Sequence, residues 1–183
     1  PLVNAPGIAR ELGVGAVLLK DESSRLGLPA FKILGASWAV YRALDERLGG
    51  FNPWEDLDDL RRQLDPLRPL TLSTATDGNH GRAVAWMAKL LGLDATIYVP
   101  AGTAQARIDA IAGEGAPVTV VNGTYDEAVA LAAQDASDHC LVISDTSWPG
   151  YEDVPRWVVE GYSTILGEVD DELRRRGEAP PDV

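Results

Sequence analysis

From residue 70 to residue 143 the chain alternates short apolar runs with stretches of helical spacing. That alternation restricts the fold more than any other feature. Leu70-Thr71-Leu72 reads as a strand, after which Ala83, Val84, Trp86, Met87, Leu90 and Leu91 recur at helical spacing. Ala95-Thr96-Ile97-Tyr98-Val99 reads as a second strand, stopped by Pro100. Thr103 is placed to cap a helix through Ile108 and Ile111 that ends near Gly113 and Gly115. Pro117-Val118-Thr119-Val120-Val121 is a third strand. Thr124-Tyr125-Asp126-Glu127 has the spacing of a capping box for a helix along Ala128 to Ala136, and Cys140-Leu141-Val142-Ile143 is a fourth strand. Strands that alternate with helices predict right-handed crossovers. The expected class is therefore α/β, a parallel sheet with flanking helices.

The flanks are less regular. Ala16-Val17-Leu18-Leu19 reads as a short buried strand ending at Lys20-Asp21-Glu22, and a helix follows Lys32 through Trp38, Tyr41 and Leu44. Asn52-Pro53-Trp54-Glu55 predicts another helix start, because Asn52 can cap, Pro53 fits a first turn and Glu55 can reach back. Val154, Trp157, Val158, Gly161, Tyr162, Ile165 and Val169 mark a last amphipathic helix. The chain opens at Pro1 without a methionine and closes at Ala179-Pro180-Pro181-Asp182-Val183, as though a loop were about to enter a strand. It reads as an internal piece.

Composition removes several classes of function. A net charge of −12 and a pI near 4.5 repel nucleic-acid phosphates. Cys140 is the lone cysteine, so no disulfide framework is expected, and the spacing of possible ligands offers no metal site. No run of about 18 apolar residues is present, so no membrane span is expected. No basic segment followed by an apolar one marks an export signal, and the cytoplasm is the expected location. Asn122-Gly123-Thr124 matches a glycosylation sequon but reads as a turn.

Chemistry is expected at the carboxyl ends of the strands, where open α/β sheets bind ligands. Ala75-Thr76-Asp77-Gly78-Asn79-His80-Gly81 lies there, at a strand-to-helix turn. Gly78 and Gly81 let backbone approach a ligand, the helix N-terminus offers free N–H groups, and Asn79 brings a donor and an acceptor. The stretch suits a planar, anionic group. It also reads as a plain helix start capped by Asp77 or Asn79. His80 reads as structural or as a neutral hydrogen-bonding group, since a helix N-terminus disfavours imidazolium. Lysine is scarce in this chain, at Lys20, Lys32 and Lys89 alone. Lys32 lies between Phe31 and Ile33, and apolar surroundings are expected to lower its pKa and free an amine for Schiff-base chemistry. A lysine that snorkels to water from a helix start fits the same spacing. Asp145 follows the fourth strand as a second acid, or caps the next turn. Cys140 reads as a strand core residue rather than a nucleophile.

Four stretches together resemble the fold-type II pyridoxal phosphate (PLP) enzymes, which include threonine dehydratases, serine racemase and threonine synthase. They are Lys20-Asp21-Glu22-Ser23-Ser24-Arg25-Leu26-Gly27-Leu28, Phe31-Lys32-Ile33-Leu34-Gly35-Ala36, Ala75 to Arg82, and Asp145-Thr146-Ser147-Trp148 with Gly150-Tyr151. Within that class the nearer resemblance is to the diaminopropionate ammonia-lyases, because Asp77 stands where generic dehydratases carry serine or another small residue, and because of the Asp145-Thr146-Ser147-Trp148 stretch. The resemblance implies PLP held covalently by Lys32, with Gly78 and Asn79 at the cofactor and Asn79 on its phenolic oxygen. It implies that Asp77 takes the Cα proton of D-2,3-diaminopropionate and Lys32 that of the L-isomer. By the same resemblance Asp145 would assist at the amino groups or in proton handling. Pyruvate and ammonia would be the products, a small amino acid the substrate, and a homodimer the assembly.

The same resemblance divides the chain. Residues 1–66 correspond to the N-terminal segment of a large PLP domain, 67–146 to a small α/β domain, and 147–183 to a helix returning toward the large domain. The glycine-rich phosphate cradle of such enzymes does not occur here. It is expected after a strand that begins at Val183, so this piece is expected to be inactive alone. A serine or threonine dehydratase that carries Asp77, and a non-catalytic binding module, are the other readings.

Overall fold

The computed structural model describes residues 1–182. The strand expected to begin at Val183 lies outside the described residues. In chain order the elements are β1 (Leu2–Asn4), α1 (Pro6–Leu12), β2 (Leu18–Lys20), α2 (Lys32–Leu48), α3 (Leu57–Gln63), β3 (Thr71–Ala75), α4 (Asn79–Leu91), β4 (Asp94–Pro100), α5 (Gln105–Ala112), β5 (Val118–Val121), α6 (Tyr125–Ala133), β6 (Cys140–Val142) and α7 (Asp153–Arg176). The four expected strands of the regular block form one parallel sheet in the order β5-β4-β3-β6. β1 and β2 pair antiparallel as a separate two-stranded ribbon.

β3 lies inside the sheet, and its residues Leu72, Ser73, Thr74 and Ala75 are all buried. Successive side chains point to opposite faces. Leu72 accordingly joins Ile97, Val99, Val84, Leu91 and Ile111 in the main core. Ala75 instead joins Ala128 and Ala132 of α6 in a second, smaller cluster. Helices therefore cover both faces of the sheet, as parallel strands require. Gly81 lets α4 lie close on the sheet, because a Cβ there would collide with Thr76 Cγ2 and come within 2.9 Å of Ile97 Cγ2.

α2 and α7 bring the flanks of the chain together. They cross at Gly35 and Gly161. A Cβ on Gly35 would stand 2.5 Å from Tyr162 Cε1, and one on Gly161 would strike the Leu34 carbonyl oxygen. The loop before α2 is tied to α7 by charge. Lys20 Nζ lies 2.5 Å from Glu22 and 2.7 Å from Glu168, and Arg25 reaches the same two carboxylates.

Four local expectations are corrected. The strand expected to be buried at Ala16 to Leu19 forms as β2, but none of its residues is buried and Leu19 is 47% exposed, because β2 pairs only with β1 in a ribbon apart from the main sheet. The helix expected at Asn52 begins at Leu57, because the Asp56 carboxylate accepts from Asp59 N–H and takes the cap. Thr103 does not cap α5; its hydroxyl donates to the Pro100 carbonyl at 2.9 Å, and the residue before α5 is Ala104. Neither Asp77 nor Asn79 caps α4. Thr76 Oγ1 does that work by accepting from the N–H groups of Gly78 at 2.9 Å and Gly81 at 3.1 Å. The capping box at Thr124 and Glu127 forms as expected. Cys140 is half-buried in β6, and burial pushes its thiol up to about 11.

Candidate active site

The carboxyl ends of β3 and β6 open on a cavity of about 220 Å³. Lys32, Asp77, Gly78, Asn79 and Asp145, all singled out in the sequence, line it, together with Thr76, His80, Arg107 and Tyr125. Five separate segments of the chain thus meet in one place. Asp77, Gly78 and Asn79 arrive on the turn from β3 into α4, and Asp145 on the loop from β6 to α7. That loop is fixed by Tyr151, whose hydroxyl donates to the Val142 carbonyl at 2.6 Å and accepts from Ser144 N–H at 3.0 Å. Trp148 stacks on Tyr151 with ring centroids 4.0 Å apart.

Lys32 is the first residue of α2, and its ammonium donates to Asp145 Oδ2 at 2.8 Å. The Phe31 and Tyr162 rings flank the ammonium, with centroids 6.0 Å and 5.5 Å from Nζ. Tyr162 is delivered there by the close crossing of α2 and α7. The expected lowering of the Lys32 pKa is corrected. Burial does act downward, but the hydrogen bond and charge of Asp145 outweigh it, and the amine is raised above its ordinary value. The partner lies 113 residues away, so the apolar neighbours in sequence gave the wrong sign.

Burial alone would raise the Asp145 carboxyl, yet its neighbours His80 and Lys32 hold it below the ordinary carboxylate range. The charge that matters there is the Lys32 ammonium, because complete burial pushes the His80 imidazole down and keeps it neutral. His80 Nε2 lies 2.8 Å from the Ile143 carbonyl oxygen, and its Nδ1 lies 3.7 Å from Asp145 Oδ2.

Asp77 is in different surroundings. Its side chain is 78% exposed, and the nearest cation is Arg107, 3.7 Å away and itself 59% exposed. Arg107 Nη1 also donates to the Asp77 carbonyl at 2.9 Å, and its side chain passes over Gly78. Asn79 is exposed at the first position of α4.

Sequence reasoning did not find Thr76, Arg107, Tyr125 or Tyr162 as parts of this site. Thr76 stood in the marked stretch but was overshadowed by stronger capping residues. Tyr125 stood inside the capping box, and burial raises its phenol. Tyr162 was visible only as an apolar-face residue of α7. Arg107 carried no signal.

No group of three or more His, Cys, Asp or Glu side chains among the described residues is placed to hold a metal ion. No helix among them is long and apolar enough to cross a membrane.

A lysine paired with an acid at strand carboxyl ends, beside an exposed second acid and an amide, defines a class. Residues 1–183 match the family model described as "Pyridoxal-phosphate dependent enzyme", and the chain belongs to that family. More particularly, it is 40% identical over 184 residues to the diaminopropionate ammonia-lyase of Escherichia coli, a match that covers 100% of this chain and 46% of the relative. The catabolic L-threonine dehydratase of Staphylococcus aureus is 28% identical over 173 residues, covering 94% of this chain and 42% of its own length. The crystal structure of Escherichia coli diaminopropionate ammonia lyase in complex with an aminoacrylate-PLP azomethine reaction intermediate superposes with a TM-score of 0.84. That match is 40% identical and covers 98% of this chain and 45% of the other. The expected α/β fold and the fold-type II resemblance are borne out. The chain spans about half the length of the curated relatives it matches.

Proposed function

We propose that this chain supplies one side of the active site of a PLP-dependent ammonia-lyase. The full-length protein removes ammonia from D- and L-2,3-diaminopropionate by α,β-elimination and releases pyruvate. The observation that carries this reading is the convergence of Lys32, Asp145, Asp77 and Asn79 on one cavity. It gains support from the 40% identity to a diaminopropionate ammonia-lyase, against 28% to a threonine dehydratase.

The residues present fit the cofactor. The Lys32 side chain lines the cavity, and His80 Nδ1 and the hydroxyl of Tyr162, whose ring flanks the Lys32 ammonium, are buried without hydrogen-bond partners. The start of α4 lines the same cavity, and a helix N-terminus favours an anionic oxygen. A volume of about 220 Å³ is below the roughly 300–1,000 Å³ of a complete small-molecule site, as befits one wall of a larger cleft. Bound PLP supplies the electron sink for a Cα carbanion.

Lys32 would hold the cofactor through Nζ as the neutral amine. Asp145, at 2.8 Å, is placed to take the proton that Lys32 gives up. Asn79 would hydrogen-bond the cofactor's phenolic oxygen, and Gly78 would let the backbone approach it. D- and L-isomers present their Cα protons to opposite faces of a planar cofactor, so an enzyme acting on both needs two bases. Lys32 would act as base on the L-isomer and Asp77 on the D-isomer. A carboxylate beside the second amine keeps it an ammonium, which leaves more readily than a free amine.

Residues 67–146 act as the small domain, whose closure brings Asp77 to the substrate and excludes water. Residues 1–66 and 147–183 belong to the large domain. The assembly is a cytoplasmic homodimer that binds a small amino acid.

The test is an assay of the full-length protein on both diaminopropionate isomers, then on serine and threonine. Turnover of both diaminopropionate isomers, well ahead of the hydroxy amino acids, is expected. Turnover of serine or threonine with neither diaminopropionate isomer would overturn the proposal.

A further inference from the structure

Lys32 and Asp145 are locked as an ion pair, while the chemistry proposed above needs a neutral lysine. His80 offers a way out. Its side chain is 3% exposed, and its two nitrogens have opposite surroundings. Nε2 lies 2.8 Å from the Ile143 carbonyl oxygen, which can only accept, so Nε2 carries the hydrogen. In the neutral ring Nδ1 then carries the lone pair. Nδ1 is buried without a partner and stands 3.7 Å from Asp145 Oδ2, the same oxygen that receives the Lys32 ammonium. A lone pair facing a carboxylate oxygen is an unfavourable arrangement in a buried site. A proton placed between them turns it into a hydrogen bond.

We propose that His80 is a positioning residue for the Lys32 proton: its Nδ1 accepts a hydrogen bond from Asp145 when Asp145 takes that proton, so that the pair can pass from ammonium and carboxylate to amine and carboxylic acid. The inference takes Lys32 as the cofactor-bearing amine and so rests on the function proposed above. The step balances. One N–H bond of Lys32 breaks and one O–H bond on Asp145 forms. Net charge stays at zero, and His80 gains a hydrogen bond but no proton.

The exchange replaces two charges by neutral groups, which partial burial favours. Closing 3.7 Å to hydrogen-bond distance takes a shift of about 1 Å in side chains that end at a loop and a helix start. The titratable groups facing His80 are few. Asp145 lies on the loop after β6, and Lys32 on α2. The Tyr162 phenol on α7 and the Tyr125 phenol on α6 are raised by burial and stay protonated through this transfer.

The protonated form of Asp145 is the state His80 is proposed to serve, and it can be read where residue 32 carries no charge. The protein used is the full-length Lys32→Met variant freed of cofactor, and the Asp145 titration is followed by carboxyl ¹³C NMR. His80→Phe in that background removes the Nδ1 acceptor. It is expected to lower the Asp145 titration by about one pH unit, the loss of one hydrogen bond of ordinary strength. No shift, or a rise, on replacing His80 overturns the proposal.

Imidazole ¹⁵N NMR of the unsubstituted protein tests it without any variant. A lone-pair nitrogen at Nδ1 is expected, and a proton there contradicts the proposal. Neither measurement involves substrate. Failure of the diaminopropionate assay would therefore leave this result standing, and the reverse also holds.

Discussion

Asp145 and Asp77 both follow the carboxyl end of a strand in the same parallel sheet, and both line one cavity, yet their surroundings differ sharply. The Asp145 side chain is 17% exposed and lies 2.8 Å from an ammonium that aromatic rings flank. Asp77 is 78% exposed, and its ion-pair partner Arg107 is itself 59% exposed. Position in the topology is shared; the packing behind each loop is not. Asp145 is backed by the Tyr151 clasp and by the crossing of α2 with α7, whereas Asp77 stands on a turn with solvent beyond it. A carboxylate committed to a neighbouring cation holds and returns a proton locally. A carboxylate without such a commitment is free to meet a substrate. One fold therefore provides two acids in two environments, which the two tasks proposed for them would require.

The comparison breaks most visibly if the committed side loses its cation. Lys32→Ala in the full-length protein is expected to abolish turnover of both diaminopropionate isomers and the visible absorption band of bound cofactor, read in one spectrophotometric assay. A surviving band would remove Lys32 from its role. Asp145→Asn is expected to lower turnover by about 10²–10⁴-fold on both isomers, the range for a lost proton-transfer group.

The same variant carries a pH signature. The folded Asp145 carboxyl lies below its ordinary value of 3.8, so its stabilisation is complete above 3.8 and is lost as pH falls through the depressed value. Lys32 lies above 10.5, so its contribution is complete below 10.5 and is lost as pH rises through the raised value. Denaturant midpoints of the unsubstituted protein and Asp145→Asn should therefore differ at pH 7 and converge in acid well below pH 3.8. A constant difference would mean that the ion pair is not what holds this wall.

Smaller changes sharpen the geometry of each side. Gly161→Ala drives a methyl into the Leu34 carbonyl and should cost about 1–3 kcal/mol in thermal or chemical unfolding, as overpacking does. Gly35→Ala meets only side chains, Tyr162 and Val158, and should cost less. Thr76→Ala removes the acceptor shared by Gly78 and Gly81 N–H and should cost about 1 kcal/mol, typical of a lost N-cap. A Thr76→Ala variant as stable as the parent would mean that the α4 turn is held by something else.

The regular half of this fold was legible because its patterns are local. The strands at Ala95–Val99 and Val118–Val121 are β-branched and bounded by proline or glycine, and the Thr124–Glu127 box needs only four consecutive residues. β1 and α1 left no such trace; three and seven residues are too short for a period to show. The helix start at Asn52 failed because a competing carboxylate stood four residues on, at Asp56. At the site, the residues fixed by their own turn, Asp77 through Asn79, could be placed from sequence. Those fixed by a long-range partner could not. Lys32 was placed correctly but given the wrong electrostatic sign, since Asp145 reaches it only after the chain has built the sheet. Tyr162 enters only because two glycines let α7 lie against α2.

The division of labour between the two acids is tested most directly by the ratio of D- to L-diaminopropionate turnover in the full-length Asp77→Asn variant. Because Asp77 is exposed, the substitution should leave stability within about 0.5 kcal/mol. Turnover of the D-isomer is expected to fall by at least about 10²-fold while the L-isomer stays within a few-fold of the unsubstituted protein. An equal fall on both isomers would contradict the account.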